Sequence, residues 1–387
     1  MLKPRILTIV AFVMITLLSF TSCVKDDDSS ENPFADAVVI GEDGVTSNGS
    51  RFISCDDGSF FLNSVRYKVV DDHLAVVGCN NEISRGEAKI FPRITYKENT
   101  YDVLEIEDEA FSSCSRLKSI IIPASVKNIG DGVFLFSQNL EKIVVSSDNT
   151  TYDSRDNCNA IIETATNKLI YGCRSTVIPD DVTSIGDNAF ERLTIITTMK
   201  FPVSVESIGS FAFFGCTGLT SIEFPEKLSR IGRGAFEECE GLTSITIPEG
   251  VTSIELGAFA DCSALSDIRL SGSLTNINDY VFSGCSSLRS ITIPEGVTQI
   301  GASAFYMCSF LASITIPASM TSVDERSFLY CPNITEIHCL GTTPPFRKEC
   351  DYFGRNIYSQ ATLYVPQGCR EAYESAFGYR LQNIVEE

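Results

Sequence analysis

Cys216, Cys239, Cys262, Cys285, Cys308 and Cys331 stand 23 residues apart, six thiols on one grid. Thiols repeated so regularly have four chemistries open to them: disulfides, metal ligation, nucleophilic catalysis, or burial as small apolar side chains. Each follows a phenylalanine by three residues, as in Ala258-Phe259-Ala260-Asp261-Cys262. One period before Cys216 the slot holds Leu193, and three residues after Phe134 it holds Ser137. A position that accepts leucine is a buried apolar one, and side chains stacked in register run parallel without facing one another. The expectation is a structural column of reduced thiols. The chain has two histidines, His73 and His338, and neither stands at a zinc-binding spacing. His338 adjoins Cys339, but neighbours on a strand point to opposite faces, which argues against a dyad.

Other reactive residues are scattered. Asp153, Asp156, Asn157 and Asn159 offer hard oxygens, yet Cys158 stands where a calcium loop needs glycine and no bidentate Glu follows. The stretch reads as a solvated loop. Cys158 with Cys173, and Cys350 with Cys369, are candidate disulfides; the redox states of Cys55 and Cys79 stay open as well. There is no Gly-x-Ser-x-Gly elbow, phosphate-binding glycine loop or dinucleotide fingerprint. No catalytic residue, metal or cofactor is expected. An enzyme hidden in residues 31–110, around Cys55, His73 and Cys79, is the alternative of another class.

The elements that position these residues are repeats. Pro179, Pro202, Pro225, Pro248, Pro294 and Pro317 share the grid, with Ser271 in the remaining slot. So do Phe190 through Phe328, and Ile185 through Ile300 with Val323 closing the series. Within a unit, Leu242, Ile245 and Ile247 alternate as in a short strand, which Pro248 ends. Ala258-Phe259-x-x-Cys262 has the spacing of a helical turn. One such unit cannot bury both its sides, so the units must stack into an α/β repeat solenoid. Between Pro123 and Pro179 the spacing is two periods plus ten residues. The surplus, near 146–171, reads as an inserted hairpin with Thr164-Ala165-Thr166-Asn167 at its turn. Residues 51–110 read as an N-terminal cap, 111–340 as the solenoid, and 341–387 as a C-terminal cap with a last strand, Ala361 to Pro366, and a helix, Arg370 to Phe377.

Charge and the first segment narrow the function. Thirty Lys and Arg against fifty Asp and Glu give a net charge of −20, which disfavours nucleic acid and anionic lipid. Lys3 and Arg5 precede an apolar run, Ile6 to Phe20, too short for a stable membrane span. The ending Phe20-Thr21-Ser22-Cys23 resembles a bacterial lipoprotein signal, 1–22, with Cys23 the lipidated residue that would hold the chain to a membrane. Residues 23–50, which begin Val24-Lys25-Asp26-Asp27-Asp28, read as a tether. The acidic run also resembles the export tag of some outer-membrane lipoproteins of Gram-negative bacteria, which implies display at the cell surface.

The stretches LTSITIPEGVTSIELGAFADC and SLRSITIPEGVTQIGASAFYMC resemble the BspA-like, or Treponema-type, leucine-rich repeat family over roughly residues 95–387. The resemblance implies a right-handed solenoid with a parallel sheet on its inner face and short helical turns outside, secreted or surface-anchored, and in several members adhesive. Its motif is a scaffold motif and brings no catalytic residue. On the strands, the residues between the buried ones point outwards: Ser221 and Glu223, Ser244 and Thr246, Asp267 and Arg269, Ser290 and Thr292, Ser313 and Thr315, Glu336 and His338. Hydroxyls dominate this face, and they hydrogen-bond a partner without a large desolvation cost. The expected function is non-enzymatic binding to a host extracellular-matrix protein or glycoprotein through this face. The alternative is an accessory or assembly subunit of an outer-membrane complex, such as a nutrient-uptake system.

Overall fold

The computed structural model describes residues 37–387, apart from 42–43, 81–85, 349, 355 and 379. The expected signal peptide, Cys23 and the acidic run lie outside the described residues.

Each rung begins with a short strand set by its alternation. In Ser244–Thr246, Ile245 is buried between two exposed hydroxyls. Pro248 follows and ends the ladder, because it lacks the N–H that Leu340, in the same slot of a later rung, gives to the Ile316 carbonyl. A 23-residue advance brings each residue beside its equivalent, so Ser290, Ser313 and Glu336 are parallel neighbours in register. A second parallel ladder is built from two-residue strands, among them Ser207–Ile208, Arg230–Ile231 and Ser253–Ile254. The whole is a parallel β-solenoid of about twelve turns.

The outer side differs from the expected helical turns. Glu238 and Asp261, each just before its cysteine, have φ of 59° and 57°, and Phe211 and Tyr280, two residues before their phenylalanines, 56° and 59°. A right-handed helix cannot run through left-handed residues. The N–H groups of Phe259 and Asp261 instead bond upward to Val281 and Ser283 of the next rung, at 3.0 and 2.7 Å. The outer turns are therefore a third set of inter-rung bonds. Among the described residues, α-helix is confined to Ile357–Gln360 and Arg370–Ala376, both in the C-terminal cap.

Inside, the phenylalanines from Phe190 to Phe328 form a column with ring centroids 5.0 to 5.8 Å apart and planes within 18° of parallel. Phe353 of the C-terminal cap extends it at 5.3 Å. The hairpin, Ala160–Glu163 against Lys168–Gly172, is antiparallel and interrupts this order. Ala160, Ile162 and Leu169 belong to the C-terminal hydrophobic cluster, whereas Ile161 and Tyr171 belong to the N-terminal one. The hairpin is thus a wall between two cores. Tyr171 meets Phe134 edge-on at 5.6 Å, and the column begins afresh at Phe190.

The N-terminal cap is an antiparallel meander through Phe52–Ser54, Phe60–Leu62, Val65–Val70 and His73–Cys79. Val38–Val39 pairs with Arg93–Tyr96, and Val38 is fully buried. The packed cap therefore begins by residue 38, inside the stretch assigned to the tether. At the other end Thr362–Val365 joins the ladder, but Asn383–Glu386 adds one more parallel strand after the helix. The strand expected to be last is therefore the last but one.

Candidate functional site

The strand face carries the residues the sequence placed there. Ser221, Glu223, Ser244, Thr246, Asp267, Arg269, Ser290, Thr292 and Glu336 are exposed, and Ser313, Thr315 and His338 half-buried. They fall into two rows because every second side chain of a strand shares a face. One row runs from Ser221 through Ser244, Asp267, Ser290 and Ser313 to Glu336. The other runs from Glu223 through Thr246, Arg269, Thr292 and Thr315 to His338. The intervening Ile245, Ile291, Ile314 and Ile337 are buried and fix the rows to the core.

Both rows are longer than the sequence reading made them. Thr198 and Lys200 pair in register with Ser221 and Glu223. Their signal was present, since they lie one period earlier. Thr362 and Tyr364 continue the rows beyond Glu336 and His338. The step there is 26 residues, which hid them from a 23-residue grid. His338 stacks on Tyr364 at 4.4 Å, with its Nδ1 3.2 Å from Glu387 and its Nε2 3.8 Å from Glu336. The C-terminal end of the face is thus aromatic and acidic, unlike the hydroxyl-rich middle. Cys339 points the other way into the core, and burial pushes its thiol up to about 12.

The cysteine column is buried and unbridged, and each thiol has a task. Cys216, Cys239, Cys262, Cys285, Cys308 and Cys331 donate to the carbonyl of the phenylalanine one rung below, at 3.1 to 3.3 Å. Ser137 does the same to Phe111 at 2.6 Å. Beneath Phe190 lies Gly172 of the hairpin, whose N–H donates to the Ala189 carbonyl as that of Phe190 does to Ala212. The rung below Leu193 therefore has no phenylalanine, and an apolar side chain fills the slot. Burial pushes the thiol of Cys216 up to about 12 and those of Cys239, Cys285 and Cys308 well above the usual range.

Neither candidate disulfide forms: Cys158, Cys173, Cys350 and Cys369 are free. Cys173 and Cys158 are held instead by nearby carbonyls, of Asn159 at 3.3 Å and Ala160 at 3.8 Å. Cys79 and Cys114 are bonded, with Cα atoms 6.7 Å apart, and tie the cap meander to the first rung. In the loop at 153–159, Arg155 donates to Asp153 through Nε at 2.8 Å. Burial opposes ionisation of Asp153, but hydrogen bonds from Arg155 and Thr164 outweigh it and hold the carboxyl below its usual range.

The fold is similar to that of a leucine-rich repeat protein from Bacteroides ovatus, with 24% identity, a TM-score of 0.56, and 85% of this chain and 79% of that one covered. A leucine rich cell surface protein from Faecalibacterium prausnitzii matches at 25% identity and a TM-score of 0.38, covering 73% and 94% of the two chains. The T. pallidum leucine rich repeat protein matches at 21% identity and 0.31, covering 68% and 89%. No curated protein matches the chain. The family model of the BspA type leucine rich repeat region matches residues 91–160, 166–285 and 254–383. The chain belongs to the BspA-type leucine-rich repeat family.

Proposed function

We propose that the chain is a surface-displayed bacterial lipoprotein that binds a host extracellular-matrix protein or glycoprotein through its strand face, without turnover. The two rows of exposed hydroxyl and charged side chains on a rigid parallel ladder carry this reading. Such rows offer many weak polar contacts over a long surface, and the buried isoleucines beneath them pre-organise the contact and lower its entropic cost. BspA-type repeat proteins are bacterial cell-surface proteins, which agrees with this role. Anchoring through Cys23 at the outer membrane of a Gram-negative cell is part of the proposal, supported by the sequence Phe20-Thr21-Ser22-Cys23.

The test is binding of the purified chain to immobilised matrix glycoproteins, mucins and glycans at two salt concentrations. Saturable binding that falls at least several-fold in Glu223→Ala with Arg269→Ala is expected. Absence of binding across the panel, together with co-purification of a fixed bacterial membrane partner, would contradict it and favour an assembly subunit.

A further inference from the structure

The strand-face ladder lapses between Glu223 and Ser244 and between Arg269 and Ser290, where the next strand still lies alongside. At the hairpin no strand among the described residues lies alongside, and an open edge is left. Ser175, Thr176 and Val177 occupy the slots that Thr198–Lys200 fill one rung later, yet they form no strand. The hairpin draws them away: Thr176 Oγ1 donates to the Asn159 carbonyl at 2.7 Å, and the Val177 N–H to the Cys158 carbonyl at 3.0 Å. Thr198–Lys200 therefore pairs with Ser221–Glu223 on one side, and among the described residues no strand covers the other. Which groups face that edge follows from the neighbouring rungs. The Ile247 N–H donates forward to Arg269 at 2.8 Å, and Leu340, one slot further along its rung, donates backward to Ile316 at 3.0 Å. Successive residues of a parallel strand alternate in this way, so the backbone groups of Thr198 and Lys200 face the open edge.

A groove lies between the edge and the displaced segment, lined by Arg174, Val177, Ile178, Met199, Lys200 and Pro202. Its floor is apolar, with Ile178 and Met199 nearly buried. Val177 in its lining and Val203, next after Pro202 in the chain, are 72% and 75% exposed, the two most exposed large apolar side chains among the described residues. Lys200 is exposed at its rim, in a chain of net charge −20, while Arg174 at the same rim is paired with Glu141 and Asp180 also lines the groove. An open strand edge over an apolar floor accepts an extended chain, whose backbone completes the ladder and whose alternate side chains enter the floor.

We infer that this groove takes an extended segment of a partner protein as an added strand, with aliphatic side chains turned to Ile178 and Met199 and an acidic one set against Lys200. The inference rests on the reading that the strand face recognises a protein, and it names the part of the partner that is recognised.

The test is fluorescence anisotropy of the full chain with labelled decapeptides. Three are compared: alternating Val and Glu, alternating Val and Lys, and the Val/Glu peptide N-methylated on alternate amides. The Val/Glu peptide is expected to bind at least tenfold tighter than either of the others. Lys200→Pro, which removes an edge N–H, is expected to weaken it at least tenfold at unchanged melting temperature. Lys200→Glu, which leaves the edge backbone intact, should weaken it several-fold, and Asp261→Asn on the outer turns should not. Equal binding of the Val/Glu and Val/Lys peptides, no effect of N-methylation, or wild-type binding by both variants overturns the inference. Retained binding to a matrix protein with no peptide binding would remove the groove alone. Peptide binding with no response to Glu223→Ala and Arg269→Ala in the panel would remove the two-row reading alone.

Discussion

The thiol column shows how one residue type meets two demands at once. A cysteine is small enough for the outer turn and carries a weak donor for the carbonyl below it. Ser137 keeps the donor, and Leu193 abandons it only at the rung that rests on the hairpin, where Gly172 and not a phenylalanine lies beneath. The apolar character of the slot was legible from Leu193; the hydrogen bond was not, because its acceptor lies 26 residues away. Cys262→Ala is expected to cost about 1–3 kcal/mol, from a lost bond and a small void, measured by denaturant unfolding. In the native protein at pH 8 the column should resist a thiol reagent that labels the half-exposed Cys55 and Cys350, with mass spectrometry as the readout. Glu237 offers a pH test. Burial, followed by Asp261 and Glu238, raises its native pKa above the ordinary value. The folded state thus holds that proton more tightly, and stability is lost as pH climbs from the unfolded to the native pKa. Glu237→Gln should therefore raise the melting temperature at pH 7 and change little where the glutamate is protonated in both states.

At the scale of elements, the strict period made the strands readable, while the turns misled. The spacing in Ala-Phe-x-x-Cys equals that of a helical turn and hid the left-handed slots of Phe211, Glu238, Asp261 and Tyr280. Gly234 and Gly257, and Gly215 and Gly284, fill the same slots in other rungs and carried the signal. The phenylalanine column that these turns carry should dominate the core. Phe259→Ala removes a ring stacked on both Phe236 and Phe282 and should cost about 3–5 kcal/mol in denaturant unfolding. The Cys79–Cys114 bond was illegible because the cap's sheet order, and not its sequence spacing, brings the two together. It joins residues 35 apart, so replacing both by Ala should destabilise the cap by about 4 kcal/mol in the chain-entropy account, seen as faster amide exchange in Val65–Val70 and His73–Cys79.

For the whole molecule, the hairpin matters more than its length suggests. The sequence located it, but the division of its side chains between two cores required seeing Ile161 and Ile162 fall on opposite sides. A solenoid whose rungs contact only their neighbours transmits stability through each interface. A wall of different construction should let the two cores unfold separately. Phe111→Ala is expected to lower only an N-terminal transition and Phe282→Ala only a C-terminal one, resolved by hydrogen exchange across a denaturant series.

The central claim is that recognition lies on the strand face. Carboxylate footprinting with and without a saturating matrix protein from the binding panel tests it most directly. The account predicts that Glu223, Asp267 and Glu336 become protected while Glu237 and Asp261 on the outer turns label as before. Protection of Glu237 and Asp261 with the strand-face carboxylates unchanged would contradict it.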